Sequence, residues 1–252
     1  MTATAPDRIR WSMVAESLSR PYRVPISMVV LMVLVPIYLF IAELAQEGTP
    51  HVLALALDRV LPLQPMWALV YGPLYLFLIV LPVLVVREYE QIRRTMFAYL
   101  AVWSLAYVCF LLYPTTASRP EKVIGEGFAV WGLKFLYTSD PPYNCFPSLH
   151  VAHSFVSALT CYRVNRGLGL AAILGATLVG VSTLFTKQHY VADVIAGAFL
   201  ACMAYVVFLR KFPREAIPEL DRRLAPFLAL VAIGMVGLVF AGFWVVHLVT
   251  GK

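Results

Sequence analysis

The sequence contains few charged residues. Asp, Glu, Lys and Arg make up 13% of its 252 residues, whereas the hydrophobic set AVILMFWYC makes up 61%. Soluble domains carry about 25% charged residues and roughly 45–50% apolar ones. Such a chain cannot cover a soluble domain with polar surface, and it has too much apolar surface to stay disordered in water. The composition therefore predicts a polytopic membrane protein. The net charge of +6 is small and scattered, which argues against a nucleic-acid partner.

The sequence is also poor in cysteine. Its four cysteines form no Cys-x2-Cys pair, and three of them lie inside apolar runs. This pattern argues against a disulfide framework. We interpret them as small buried apolar residues, namely Cys109, Cys145, Cys161 and Cys202.

What the sequence does have is long apolar runs. About 20 helical residues cross a hydrocarbon layer of about 30 Å. The predicted spans are residues 24–45, 66–86, 96–113, 148–164, 168–186, 190–209 and 225–249. The fourth to sixth contain His, Ser and Asp, which usually face the interior of a bundle. We therefore predict an all-α integral membrane protein of about seven transmembrane helices, forming a single membrane domain over residues 1–252.

The positive residues alternate in number between successive segments outside the spans. Of the 20 Lys and Arg, 14 fall in one alternate set of segments and six in the other. By the positive-inside rule the richer set is cytoplasmic, so the amino terminus is predicted in the cytoplasm and loop 114–147 on the outer face. Segment 210–223 is interpreted as a basic cytoplasmic linker held by anionic headgroups. The apolar stretch 128–137 is too short to span and is predicted to be an interfacial helix.

Three polar clusters fall on the predicted outer face. Asp193 lies inside the sixth span, where a carboxylate costs roughly 2.5–3.5 kcal/mol and needs a partner. His189, four residues earlier, shares its helix face. Ser148 and His150 open the fourth span, and a helix amino terminus attracts anions. Arg119 follows the third span and can bind a phosphate through two donors. Together these residues indicate a site that handles phosphate.

The clusters resemble the three motifs of the type 2 phosphatidic acid phosphatase superfamily, which are Lys-x6-Arg-Pro, Pro-Ser-Gly-His and Ser-Arg-x5-His-x3-Asp. The matching segments are Arg119-Pro120, Pro147-Ser148-Leu149-His150, and Ser182 to His189 with Asp193, in the same order. The resemblance covers about residues 95–210, which it implies to be the catalytic core. It also implies a six-helix bundle to which the span 225–249 is an addition.

Three positions depart from the motifs. Leu112, Leu149 and Thr183 stand where the superfamily has Lys, Gly and Arg. Phe-Pro-Ser-Leu-His together with Gln-His-Tyr-x2-Asp is more similar to the inositol phosphorylceramide synthase-like branch. A site with fewer cations suits a phosphodiester, which carries one negative charge, better than a monoester, which carries up to two. Lys187, close in sequence to His189, could replace one missing cation.

The resemblance implies a lipid phosphotransferase that moves a phosphate-linked head group between membrane lipids through a phosphohistidine, without metal or cofactor. His189 would be the nucleophile, assisted by Asp193, and His150 the general acid and then base. The implied phosphate-binding residues are Arg119, Ser148 and Lys187. The alternative is a phosphatase that hydrolyses a monoester such as phosphatidic acid, phosphatidylglycerophosphate or a polyprenyl phosphate. In a bacterium, the site would face the periplasm or exterior from the cytoplasmic membrane.

Two other classes remain open. A metal-dependent hydrolase could use His150, His153, His189 and Asp193 as ligands, because His-x2-His and His-x3-Asp suit a helix. A transporter could relay protons through the same groups. However, they cluster near one interface and the sequence has no repeat, which argues against a transport pathway. The sequence does not decide whether His153 supports the site or only packs.

Overall fold

The computed structural model describes residues 11–13 and 25–250, with the side chains of the first helix from Val33 onward. This part of the chain is built from helices, which confirms the all-α prediction. They are α1 (Pro25–Glu47), α2 (Ala56–Val60), α3 (Ala68–Val85), α4 (Tyr89–Leu112), α5 (Phe128–Ser139), α6 (Leu149–Val164), α7 (Arg166–Phe185), α8 (Val191–Ala204) and α9 (Glu219–Thr250). A π-helical turn, Tyr205–Leu209, extends α8. Residues 1–10 and 14–24, which carry the first group of positive residues, lie outside the described part.

Five helical stretches of the described residues are long and apolar enough to cross a membrane, which confirms a polytopic membrane protein. They are Pro65–Val85, Tyr89–Leu112, Arg166–Phe185, Val191–Leu209 and Glu219–Thr250. Helices α1, with 23 residues, and α6, with 16, occupy the other two predicted spans. A 16-residue helix is shorter than the roughly 20 residues that hydrocarbon requires. The number seven therefore stays a prediction.

Helix caps set two boundaries that apolar runs do not reveal. Helix α4 begins at Tyr89, several residues before the predicted span, because the Glu88 carboxylate accepts the Gln91 N–H at 2.6 Å. Helix α9 begins at Glu219, inside the predicted linker 210–223. Its first turn carries Glu219 and Asp221, which favour a helix amino terminus. The short predicted interfacial segment is helical, as α5, over Phe128–Ser139.

Helices α6 and α7 form a tight hairpin in the core of the bundle. Asn165 alone links them, and its side chain accepts the Leu168 N–H at 3.0 Å. A Cβ on Gly169 would lie 2.2 Å from the Tyr162 Cα, so a residue larger than glycine cannot fit there. The hairpin buries Cys161 and Ala176 against α3 and α9. This packing holds the amino terminus of α6, where the site lies, close to the end of α7.

The predicted cytoplasmic segments meet at the other end of α6. Arg94 donates to the Phe208 carbonyl (3.4 Å), Arg214 to the Val164 carbonyl (3.4 Å) and the Asn165 amide to the Arg222 carbonyl (3.1 Å). Since Val164 ends α6 and His150 stands in its first turn, the arginine-rich end of the bundle is opposite the site. The contacts place three segments of the richer set, 87–95, 163–167 and 210–223, at the same end of the bundle. Which side of the membrane they face stays a prediction.

Candidate active site

The amino terminus of α6 is anchored on α8. Ser148 caps α6 by accepting the Val151 N–H at 3.3 Å. Its own N–H donates to the backbone carbonyl of Asp193 at 3.1 Å. Gly197, one turn further along α8, lies so close that a Cβ there would be 2.4 Å from the Ser148 carbonyl oxygen. The turn that carries His150 is therefore held directly against the helix that carries Asp193.

His189 lies in the short connection between α7 and α8. Its N–H donates to the Thr183 carbonyl at 3.3 Å. Asp193 stands in the first turn of α8, where one carboxylate oxygen accepts the Tyr190 N–H at 2.8 Å. The same oxygen is 3.5 Å from His189 Nδ1, and both side chains are buried. A buried carboxylate on the Nδ1 side favours a proton there and leaves Nε2 as the free lone pair.

The two site histidines touch each other. His150 Nδ1 and His189 Nε2 are 3.0 Å apart, within hydrogen-bond distance. On its other side, His150 Nε2 is 3.8 Å from an Asp140 carboxylate oxygen. The structure thus brings the predicted His150, His189 and Asp193 together and adds Asp140. The four side chains form a row, in which Asp140 lies next to His150 and Asp193 lies next to His189.

Sequence reasoning missed Asp140. It lies just after α5, ten residues before His150, in a proline-rich loop where an acid ordinarily faces solvent. The fold instead makes Asp140 part of the site: its Oδ1 accepts the Tyr38 hydroxyl at 2.9 Å. Because Tyr38 belongs to α1, no local signal could have indicated this contact.

Arg119 lies beside the row of four side chains. Its Nη1 donates to the Asp140 backbone carbonyl at 2.6 Å, and its guanidinium lies 4.6 Å from the centre of the Tyr137 ring. Burial raises the pKa of Tyr137 to about 12, so this ring remains neutral. Within the described part of the chain, the buried Nε of Arg119 has no hydrogen-bond partner. Arg119 therefore has donors left for a phosphate oxygen.

In this conformation, Lys187 supports the site through hydrogen bonds to backbone carbonyls. Its ammonium donates to the backbone carbonyls of Asp58 (3.1 Å) and Leu61 (2.6 Å). The Asp58 carboxylate in turn accepts the Val191 N–H at 2.9 Å and the Leu55 N–H at 2.8 Å. Helix α2 thereby holds the connection that carries His189. The predicted role of Lys187 as a phosphate ligand stays a prediction, since two of its three donors are engaged here.

His153 lies one turn below the histidine pair. It stacks on Tyr99, with ring centroids 4.5 Å apart, and is 3% exposed. Among the described residues, the group that offers three potential metal ligands together is Cys145, His189 and Asp193, all within 4.8 Å. This group does not contain the His150–His153 pair of the metal hypothesis. Burial, with the negative charge of Asp193, raises the pKa of the Cys145 thiol far above its usual range. A protonated thiol is a poor metal ligand.

A family model described as "PAP2 superfamily" matches residues 48–207, more than half of the chain. The chain belongs to the PAP2 superfamily. The resemblance seen in the three motifs is thereby confirmed at the level of the superfamily, and the inositol phosphorylceramide synthase-like branch stays a prediction. The match includes all the site residues described above and ends before α9.

Two curated proteins illustrate the relationship. A PA-phosphatase related-family protein of Dictyostelium discoideum is 23% identical over 132 residues, which are 47% of this chain and 23% of that protein. An uncharacterized protein of Methanocaldococcus jannaschii is 24% identical over 173 residues, 60% of this chain and 70% of that protein. The chain thus spans about a quarter of the Dictyostelium relative. No solved structure matches the chain.

Proposed function

We propose that the protein is a membrane-embedded phosphotransferase that moves a phosphate-linked head group from one lipid to another through a phosphohistidine at His189. The observation that carries the proposal is the 3.0 Å contact between His150 and His189 with a carboxylate behind each ring. A nucleophile next to a proton donor is the pairing that phosphoryl transfer through an enzyme nitrogen requires. Membership of the PAP2 superfamily supports phosphatase-type chemistry.

The reaction has two displacements. In the first, the His189 Nε2 lone pair attacks phosphorus, the bond from phosphorus to the donor lipid's oxygen breaks, and His150 gives that oxygen a proton. In the second, His150 takes the proton of an acceptor hydroxyl, the hydroxyl oxygen attacks phosphorus, and the bond from phosphorus to His189 breaks. Asp193 stabilises the positive charge on the His189 ring, and Arg119 with the Ser148 end of α6 stabilises the equatorial oxygens.

The phosphoryl group of the substrate has to take the place of the direct contact between the His150 and His189 rings. A phosphoryl group cannot fit between nitrogens that are 3.0 Å apart. The His150 side chain is 15% exposed and that of His189 5% exposed, so His150 has more room to turn away. In this scheme, the Asp140 carboxylate, 3.8 Å from His150 Nε2, holds that imidazole near the leaving oxygen after the two rings separate.

The local charge favours a phosphodiester donor and therefore head-group transfer. Arg119 is the motif cation that this chain retains, and the Lys187 ammonium is engaged by backbone carbonyls. The Asp140 carboxylate, 3.8 Å from His150, adds negative charge beside the substrate position. A monoester dianion would meet more repulsion there than a diester with a single charge.

Hydrolysis of a lipid phosphate monoester is the second candidate, because the Dictyostelium relative is described as PA-phosphatase related. Its chemistry is the same, except that water takes the place of the lipid acceptor. The site residues and the phosphohistidine would not change. Only the acceptor and the charge on the donor distinguish the two functions.

One experiment tests both candidates. Purified protein in mixed micelles is given phosphatidic acid or a phospholipid diester, each radiolabelled at phosphorus, with and without a lipid that bears a free hydroxyl. Transfer of label from the diester to the hydroxyl lipid supports the proposal, whereas inorganic phosphate as the only product assigns the phosphatase. The absence of any product would overturn both.

A second measurement tests the covalent step. Denaturation during turnover should leave label on the wild-type protein and none on His189→Ala, because the phosphorus is held on the His189 nitrogen. His247→Ala is the matched control, since His247 lies in α9 outside the site. Full turnover by His189→Ala would remove the phosphohistidine from the mechanism.

A further inference from the structure

An apolar groove on the surface of the bundle is lined in part by residues that contact His150. It has a volume of about 410 Å³ and lies between α3, α5 and α9. Its walls are apolar except at Tyr71, Tyr75, Ser139 and Asp140. Volumes of about 300–1,000 Å³ are typical of sites that bind small molecules. The groove is therefore large enough for a ligand with a substantial apolar part.

The polar residues of the groove contact the site. The ring centroids of Tyr71 and Tyr75 are 5.6 and 5.1 Å from that of His150. Asp140, which also lines the groove, is 3.8 Å from His150 Nε2. A ligand in the groove therefore reaches residues that contact the imidazole of His150 directly. This continuity distinguishes the groove from an ordinary depression that faces the bilayer.

Helix α5 forms the wall that connects the site with α9. At its start, Phe128 packs on Trp244 of α9 with ring centroids 5.0 Å apart. At its end, Ser139 is followed directly by Asp140. Helix α9 lies outside the family match and supplies Phe240 and Phe243 to the groove. The groove is thus built from two helices inside the matched region and one outside it.

A close approach between α3 and α9 shapes the opposite wall. A Cβ on Gly72 would lie 2.8 Å from Phe240 Cζ, so glycine is what allows the phenylalanine ring to lie against α3. The Phe240 ring therefore forms part of the groove wall where α9 meets α3.

We propose that this groove binds one hydrocarbon chain of the lipid whose phosphorus His189 attacks. The substrate part of this inference rests on the proposed function. Moving a chain from bilayer hydrocarbon to apolar protein walls changes its solvation little. The groove therefore orients the lipid more than it adds to the binding affinity. When the chain lies between α5 and α9, the phosphate of the lipid is positioned beside Asp140 and His150.

Gly132→Leu tests the groove by filling it. Gly132 lines the groove, and a Cβ there would have its nearest neighbour at 3.9 Å, so the backbone accepts a side chain. We expect kcat/KM for a long-chain lipid phosphate to fall about tenfold, with a water-soluble short-chain analogue unaffected. Gly234→Leu on α9 is the matched control, because a Cβ there meets nothing within 4 Å. An unchanged long-to-short ratio in Gly132→Leu would overturn the proposal.

Photolabelling tests binding without turnover and without a groove substitution. A lipid phosphate with a diazirine in its chain is irradiated with the His189→Ala protein, and the labelled peptides are mapped. Label on Trp131 or Phe243 supports the groove, and label confined to other helices overturns it. Equal labelling by a diazirine-bearing hydrocarbon that has no head group would also overturn it, since the occupant would then be bulk lipid. If wild-type protein turns over no lipid although the groove is labelled, the proposed function fails and the binding site stands.

Discussion

Gly197→Ala should disable the site although Gly197 contacts no substrate. The added Cβ would lie 2.4 Å from the Ser148 carbonyl oxygen and 3.3 Å from Val151 Cβ. Ordinary contacts begin at 3.4 Å, so α8 and the first turn of α6 must separate by about 1 Å. The closest neighbour is a backbone atom, so no side chain can rotate out of the way. The separation has to be taken up by the helices themselves.

This displacement acts directly on the chemistry. His150 travels with α6 and Asp193 with α8, so the contact between the two histidines and the hydrogen bond from Ser148 to the Asp193 carbonyl are disturbed together. A misplacement of about 1 Å can cost roughly 10²-fold in rate. Overpacking in a core costs roughly 1–3 kcal/mol. We therefore expect kcat to fall about 100-fold, with a lower thermal unfolding midpoint.

The assay is label transfer or phosphate release at saturating lipid, with thermal unfolding followed in the same detergent. Gly234→Ala is the control, since a Cβ at Gly234 meets nothing within 4 Å. Gly180→Ala gives an intermediate case, because its nearest neighbour, at 3.2 Å, is the movable side chain of Val194. Wild-type turnover and stability in Gly197→Ala would refute the contact between α6 and α8 on which the site geometry depends.

Four further predictions follow from the site. Asp140→Asn should slow turnover of a phospholipid diester about 10²-fold but that of a p-nitrophenyl phosphodiester much less, because p-nitrophenolate leaves without a proton; equal losses would contradict a role in protonation. Asp58→Ala should lower the free energy of unfolding by about 1–3 kcal/mol, measured by thermal unfolding, because two N–H groups lose their acceptor. Asp58→Asn should lower it less. Cys145 is buried and burial raises the pKa of its thiol, so iodoacetamide should label it slowly even near pH 9, where an exposed thiol of pKa about 8.5 is largely ionised; rapid labelling of Cys145 in the folded protein would contradict its burial beside His189 and Asp193. EDTA should leave turnover unchanged, and a loss restored by zinc would instead favour a metal at Cys145, His189 and Asp193.

Features that depend only on nearby residues could be predicted from the sequence. The predicted spans are apolar runs that, as helices, are long enough to cross the hydrocarbon layer. Such runs can be recognised locally because a helix satisfies its own backbone hydrogen bonds within the segment. The four-residue spacing of His189 and Asp193 predicted that they meet, and they do, although His189 lies in the connection before α8 and not on a face of that helix. Ser148 was predicted at a helix start, and it caps α6. These contacts span a few residues and do not depend on how helices pack.

Tertiary structure decided the contacts between distant parts of the chain. Asp140 reaches His150 because α5 crosses from α9 to the histidine pair, and Lys187 is drawn to carbonyls more than 120 residues away in sequence, at Asp58 and Leu61. The groove forms between α3, α5 and α9, which lie far apart in the sequence, and Gly72 leaves room there for the Phe240 ring. Helix positions relative to one another follow from side-chain packing over the whole bundle. No local spacing or composition encodes them, and they determine which groups surround the phosphate.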